Sequence, residues 1–119
     1  PLPVSAPFHS SLMKPAAEKL RVALADVVLA APQIPVLNNV DVAVQQDADA
    51  IRDALYRQAF GAVRWVECVQ ALKGRGITHI IECGPGKVLA GLTKRIDPEL
   101  VGAALFDPAT LAETRELLA

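Results

Sequence analysis

Apolar positions recur at two different spacings along this chain, and the switch between them predicts alternating helices and strands. Leu12, Ala16, Leu20, Ala23, Leu24 and Val27 fall three or four apart, the spacing of one helix face. They predict a helix to about Val28, with Ser10 or Ser11 as cap and Pro15 confined to the first turn. Ahead of it, residues 2–5 read as a short extended segment whose prolines restrict it to an edge or a strand end. Pro32 and Pro35 forbid helix and bracket a short strand at residues 34–37, followed by a loop that opens on Asn38 and Asn39. Asp47 or Asp49 then caps a second helix carrying Ile51, Ala54, Leu55, Gln58 and Ala59 on one face, and Gly61 stops it. A third helical pattern runs from Val63 to Gly74.

Residues 77–83 are rich in β-branched side chains and bounded by Gly76 and Gly84, which makes them the best strand in the sequence. A Gly-Pro-Gly turn leads into a helix at 88–96, Pro98 breaks it, residues 101–106 form another strand, and Asp107 with Pro108 opens a last helix. Strands alternating with helices favour a mainly parallel sheet, so the expected class is α/β.

Composition narrows the function. The chain has 119 residues, 52% hydrophobic and 21% charged, with net charge −1. It is too apolar for disorder, and its charges and prolines interrupt every run that could span a bilayer. A balanced charge, one Trp, one Tyr and three Phe supply neither a basic footprint nor a stacking platform, which argues against nucleic acid as partner. Cys68 and Cys83 fit neither a disulfide framework nor a metal knuckle, and both read as buried thiols. The start, PLPVS, has no signal-peptide character and no initiating Met, so a cut chain with uncovered apolar surface is expected.

His9 stands in a loop between a strand end and a helix start, where imidazole can move protons near neutral pH. A capping or surface histidine is the plainer reading of that position. No G-x-S-x-G surrounds Ser5, Ser10 or Ser11, so a hydrolase triad within this chain lacks its nucleophile. His9 and His79 have no metal partners at ligand spacing, and no metal is expected. Gly84, Gly86 and Lys87 suggest a phosphate loop, but Ile81 and Val88 break the Walker spacing and Leu89 the dinucleotide one, leaving a tight strand-to-helix turn. Lys87, Lys94 and Arg95 form a small basic patch on the following helix, suited to solvent, to an acidic partner or to a phosphate-bearing cofactor.

Four blocks, LPVSAPFHSSLMKPAA from Leu2, PVLNNVD from Pro35, IRDALYRQ ending at Gln58 and ECGPGKVLAGLTKRI from Glu82, together resemble the C-terminal part of bacterial malonyl-CoA:acyl carrier protein transacylases. The resemblance covers essentially the whole chain. It implies the C-terminal half of an α/β-hydrolase-like acyltransferase core at residues 7–119, with residues 1–6 the last strand of an inserted ferredoxin-like subdomain. It implies a cytoplasmic enzyme of fatty-acid synthesis that moves malonyl from malonyl-CoA to the phosphopantetheine thiol of acyl carrier protein by a Ser-His ping-pong mechanism. Malonyl-CoA and the phosphopantetheine thiol are then both substrates, and no cofactor is implied. His9 matches the family's catalytic histidine and Gln58 the residue whose main-chain carbonyl orients it. Phe8 and Asn38 are implied in substrate binding, Phe8 because a bulky ring before the histidine crowds an α-methyl group. Lys87, Lys94 and Arg95 then face the carrier protein. The nucleophile elbow, the oxyanion glutamine and the carboxylate-binding arginine are absent, so partnership with an N-terminal part is implied, and this chain alone is expected to be inactive. Two other readings are a non-catalytic interaction half-domain and a piece of a polyketide-type acyltransferase.

Overall fold

The structure, a computed structural model, describes residues 6–119, so the extended segment expected at 2–5 and the expected end of a subdomain insert at 1–6 lie, Ala6 apart, outside the described residues. The chain divides into two units, residues 1–68 and 69–119.

In the first unit a 3-10 turn at Ser11–Met13 runs into α1, Lys14–Ala25, with Pro15 in its first turn as expected. Neither serine hydroxyl caps it; Ser10 Oγ donates to the Pro7 carbonyl at 2.7 Å instead. The helix ends at Ala25, short of the expected Val28, and Val28 stands out in solvent. The strand expected at 34–37 is reduced to β1, Leu37–Asn38, because two prolines remove ladder donors; Ile34 and Val36 are exposed. β1 pairs antiparallel with β2, Ala43–Val44, so a hairpin replaces the strand and loop read from the sequence. Asp47 caps α2, Ala48–Gln58, by accepting from the Ala50 N–H at 2.8 Å. Ala17 of α1 and Ala54 of α2 are buried, small residues where the two helices meet, and Tyr56 of α2 donates to Glu18 of α1 at 2.6 Å.

Helix α3, Trp65–Gly74, carries the boundary between the units. The second unit is a βαβ arrangement: β3, His79–Cys83, and β4, Val101–Leu105, pair in parallel and are joined through α4, Val88–Ile96. Five paired residues from His79 with Val101 to Cys83 with Leu105 set the register. α4 lies so close on β4 that a Cβ on Gly102 would stand 2.5 Å from the Ala90 carbonyl oxygen. Only glycine permits that approach. Thr93, fully buried, returns its hydroxyl to the Leu89 carbonyl at 3.0 Å. α5, Pro108–Leu117, opens on a reciprocal capping box between Asp107 and Thr110. Lys73 holds both Asp97 and Glu99, at 2.6 and 2.5 Å, fastening the end of α3 to the segment between α4 and β4.

Burial is sparse for so apolar a sequence. Phe8, Leu12, Val22, Ile34 and Val36 in the first unit and Val88, Phe106 and Leu118 in the second are exposed. Cys68 is buried and its thiol pKa is pushed up by desolvation, whereas Cys83, expected to be buried, is exposed at the carboxyl end of β3.

Candidate active site

A histidine in the left-handed backbone region opens the site. His9 has φ 58°, a conformation in which histidine is enriched but which few side chains adopt. Its ring is exposed, and Nδ1 lies 3.1 Å from the Gln58 carbonyl oxygen and 3.2 Å from that of Gly61. Both partners can only accept, so Nδ1 carries the proton and Nε2 presents a lone pair. The ring is thus held through Nδ1, and Nε2 has no hydrogen-bond partner among the described residues.

The Gln58 carbonyl belongs to the last turn of α2, where oxygens are left without intrahelical donors, and the Gly61 carbonyl to the turn that follows the helix. The chain turns back there: the Gly61 N–H donates to the Arg57 carbonyl at 2.8 Å and the Phe60 N–H to the same oxygen at 3.3 Å. Gly61 is required by close approach, because a Cβ there would stand 2.8 Å from Val40 Cγ2 and 2.9 Å from the Arg57 oxygen. Sequence reasoning took Gly61 as a helix stop and missed its carbonyl. No side-chain signal marks a backbone acceptor.

Around this turn folds the hairpin loop, residues 39–42. Asn38 spends both ends of its amide on the hairpin, Nδ2 donating to the Ala43 carbonyl and Oδ1 accepting from the Asp41 N–H, each at 2.8 Å. One amide proton of Asn38 is left for any ligand. Arg57 grips Asp41 through both terminal nitrogens at 2.5 and 2.7 Å, and its Nε reaches Asp53 at 2.7 Å. The guanidinium holds the Asp41 carboxyl below its usual range, and the two carboxylates raise the arginine pKa in turn. Arg64 adds its own N–H to the Asn39 carbonyl at 3.0 Å and pairs with Glu67. Phe8, next to His9, is 58% exposed and therefore available to a ligand.

The remaining candidates lie in the second unit. Lys87 is the residue before α4 rather than a member of it, seven residues and about 10 Å of helix rise from Lys94. Both line one open cleft of about 600 Å³ with Ala90, Gly91 and Leu100; Arg95 is exposed and does not line it. At the start of α4 Glu82 Oε2 accepts from the Ala90 N–H at 2.8 Å, which sets a carboxylate of the chain itself against the helix N-terminus. No cluster of His, Cys, Asp or Glu able to hold a metal occurs among the described residues.

The fold, a parallel βαβ unit with flanking helices, is that of solved α/β acyltransferases. The acyl-carrier-protein S-malonyltransferase of Burkholderia pseudomallei 1710b is 68% identical with a TM-score of 0.92, over 98% of this chain and 38% of that one. A malonyl-transacylase solved in complex with a type II PKS acyl-carrier protein is 50% identical with a TM-score of 0.93, over 98% and 38%. Among curated proteins, the malonyl CoA-acyl carrier protein transacylase of Escherichia coli (strain K12) is 52% identical over 117 residues, 98% of this chain and 38% of the relative. That of Salmonella typhimurium (strain LT2) is 54% identical over 112 residues, 94% and 36%. No protein-family model matches. The sequence corresponds to the C-terminal part of malonyl CoA-acyl carrier protein transacylases, and spans little more than a third of the length of these relatives.

Proposed function

We propose that this chain supplies the histidine part of an enzyme that transfers malonyl from malonyl-CoA, the donor in its relatives' names, to the phosphopantetheine thiol of acyl carrier protein. The observation that carries the reading is the pair of main-chain carbonyls on His9 Nδ1, which leaves Nε2 as a base. The nucleophile comes from outside this chain: Ser10 donates to the Pro7 carbonyl, and no serine of the sequence stands in G-x-S-x-G. In the first half-reaction Nε2 takes the serine proton as Oγ attacks the malonyl thioester, and the imidazolium returns it to the sulfur of departing coenzyme A. In the second, Nε2 takes the proton of the carrier thiol, sulfur attacks the acyl-serine ester, and the imidazolium reprotonates Oγ. The two carbonyls accept from Nδ1–H in both charge states, so the ring keeps its orientation through the cycle. Gln58 therefore acts through its backbone, and Phe8 borders the acyl group, where its ring disfavours an α-methyl substituent.

Exposed apolar side chains on each unit support a partnership with the rest of the enzyme, whose surfaces would cover them. Among the described residues no helix is long and apolar enough to cross a membrane; a cytoplasmic reaction is part of the proposal through the resemblance alone. Because one similar structure contains a type II PKS carrier protein, the same transfer in polyketide synthesis is the second reading. In the complete enzyme His9→Ala is expected to lower malonyl transfer by about 10² to 10⁴ fold at an unchanged melting temperature. Near-normal turnover of that variant at neutral pH refutes the proposal.

A further inference from the structure

We propose that the ion pair between Asp41 and Arg57 is the positioning device of this site: it clamps the hairpin loop onto the end of α2 and so fixes the two carbonyls that select the tautomer of His9. The inference rests on His9 being the base, and it adds residues that touch neither substrate nor the reacting atoms.

The geometry has three linked parts. Arg57 immediately precedes Gln58, and its own carbonyl receives the Gly61 N–H, so the residue that forms the ion pair also organises the turn bearing both acceptors. Its fork on Asp41 is bidentate at 2.5 and 2.7 Å, the pairing that fixes orientation as well as distance. Asp41 is itself fixed, its N–H on Asn38 Oδ1 at 2.8 Å and its carbonyl receiving Arg64 Nη1 at 3.3 Å. Val40, next to Asp41 in the chain, places Cγ2 only 2.8 Å from where a Cβ on Gly61 would stand. A shift of the loop is therefore transmitted to Gly61 directly. The side chains of Asp41 and Arg57 are only 27% and 34% exposed, so solvent competes with the pair less than with an ordinary surface bridge.

Asp53 provides the contrast. It meets the same guanidinium at Nε, at 2.7 Å, but lies on α2 itself and is 59% exposed. Removing its charge perturbs the arginine without releasing the loop.

If the clamp loosens, the carbonyls drift from Nδ1 and the ring is free to take the Nε2–H tautomer, which cannot accept a proton from serine or thiol. The experiment compares Asp41→Asn and Asp53→Asn in the complete enzyme by steady-state kinetics, thermal melting and imidazole ¹⁵N spectra, with His9 assigned by its loss in His9→Ala. For Asp41→Asn we expect a mixture of His9 tautomers, a fall in kcat of about tenfold and less than about a twofold change in KM for malonyl-CoA. Asp53→Asn keeps the single Nδ1–H tautomer and its kcat. Arg57→Lys, which keeps the charge and loses the fork, falls between wild type and Arg57→Ala in tautomer population. The proposal is overturned if Asp41→Asn retains one tautomer and full kcat, or if both asparagine variants lose kcat in proportion to melting temperature. The tautomer readout decides this even if His9→Ala keeps its turnover, a result that would fell the catalytic reading alone.

Discussion

Replacing Gly61 by alanine adds one methyl group at the point where the hairpin, the end of α2 and the His9 ring are tied together. The new Cβ would stand 2.8 Å from Val40 Cγ2 and 2.9 Å from the Arg57 carbonyl oxygen. Bringing both contacts to the 3.4 Å edge of ordinary van der Waals distance takes about 0.5–0.6 Å of movement. Val40 can yield by side-chain motion, but the Arg57 oxygen is backbone and already receives two N–H groups. The Gly61 carbonyl must therefore move, and its bond to His9 Nδ1, at 3.2 Å, has little length to spare. Overpacking of this kind costs about 1–3 kcal/mol, and misplacement on the scale of 1 Å at a catalytic group lowers rate by up to ~10²-fold. We expect Gly61→Ala to lower the melting temperature of the complete enzyme and to reduce kcat by about 10-fold or more. Gly74→Ala is the matched control, since a Cβ there meets nothing within 4 Å; it should stabilise by roughly 0.4–1 kcal/mol and leave turnover alone. Thermal melting and transfer rates on the two variants make the comparison. Equal behaviour of the two, with Gly61→Ala melting and turning over like wild type, would refute the reasoning.

Gln58→Ala should be mild beside His9→Ala, because the acceptor is the main-chain oxygen; equal severity in transfer assays would show the side chain to be the orienting group. Lys94→Glu with Arg95→Glu should raise KM for carrier protein at low salt far more than KM for malonyl-CoA, an effect that fades as salt screens beyond about 8 Å; an unchanged carrier KM at low salt makes these residues solvated surface only. The Asp107 carboxyl is held below its usual range chiefly by the Thr110 N–H, then by the Thr110 hydroxyl, so its contribution to stability is present above the unfolded-state carboxylate pKa and is lost as pH falls through the lower folded value. Asp107→Ala should therefore lower the melting temperature at neutral pH and converge with wild type in acid, and parallel melting curves across pH would contradict it.

The sequence was most legible where local chemistry and periodicity agree. Asp47 starts α2, Asp107 and Pro108 start α5, and the β-branched run around Ile80 becomes β3 with α4 and β4 following in order. It was least legible at the hairpin. Val42 takes φ 58° in a loop with no glycine, a conformation that a β-branched residue disfavours. Both ends of the Asn38 amide, together with the Val42 N–H on the Asn38 carbonyl at 3.1 Å, hold it there, so Asn38 and Asn39 mark a loop in the sequence while the strained return at Val42 that closes a hairpin has no signature of its own. Within the site, His9 stood out by residue type and Gln58 only through resemblance to a family. Gly61, Asp41 and Arg57 did not stand out, because a carbonyl acceptor has no residue identity and an ion pair sixteen positions apart has no local period. Cys83 was misplaced because a strand's last residue reads like its interior, although here it emerges at the sheet end.

Holding His9 by carbonyls rather than by a carboxylate has a consequence for the acid–base role we propose for it. A carboxylate at Nδ1 orients the ring and adds a full negative charge that favours the imidazolium; carbonyl dipoles orient it with a smaller bias. In the transfer we propose, the same nitrogen takes and returns a proton twice, against a serine and two thiols, so a strong bias toward either charge state would speed one step and slow its partner. The arrangement moves the demand from charge to placement. Two neutral oxygens hold Nδ1 at 3.1 and 3.2 Å with a backbone strained at His9, and they do so only while their turn is held. Where a triad concentrates orientation in one aspartate, this site distributes it over a turn, a hairpin and the ion pair that joins them. Its activity should therefore be more sensitive to loop and turn substitutions remote from substrate than to the identity of the residue that supplies the nearest carbonyl.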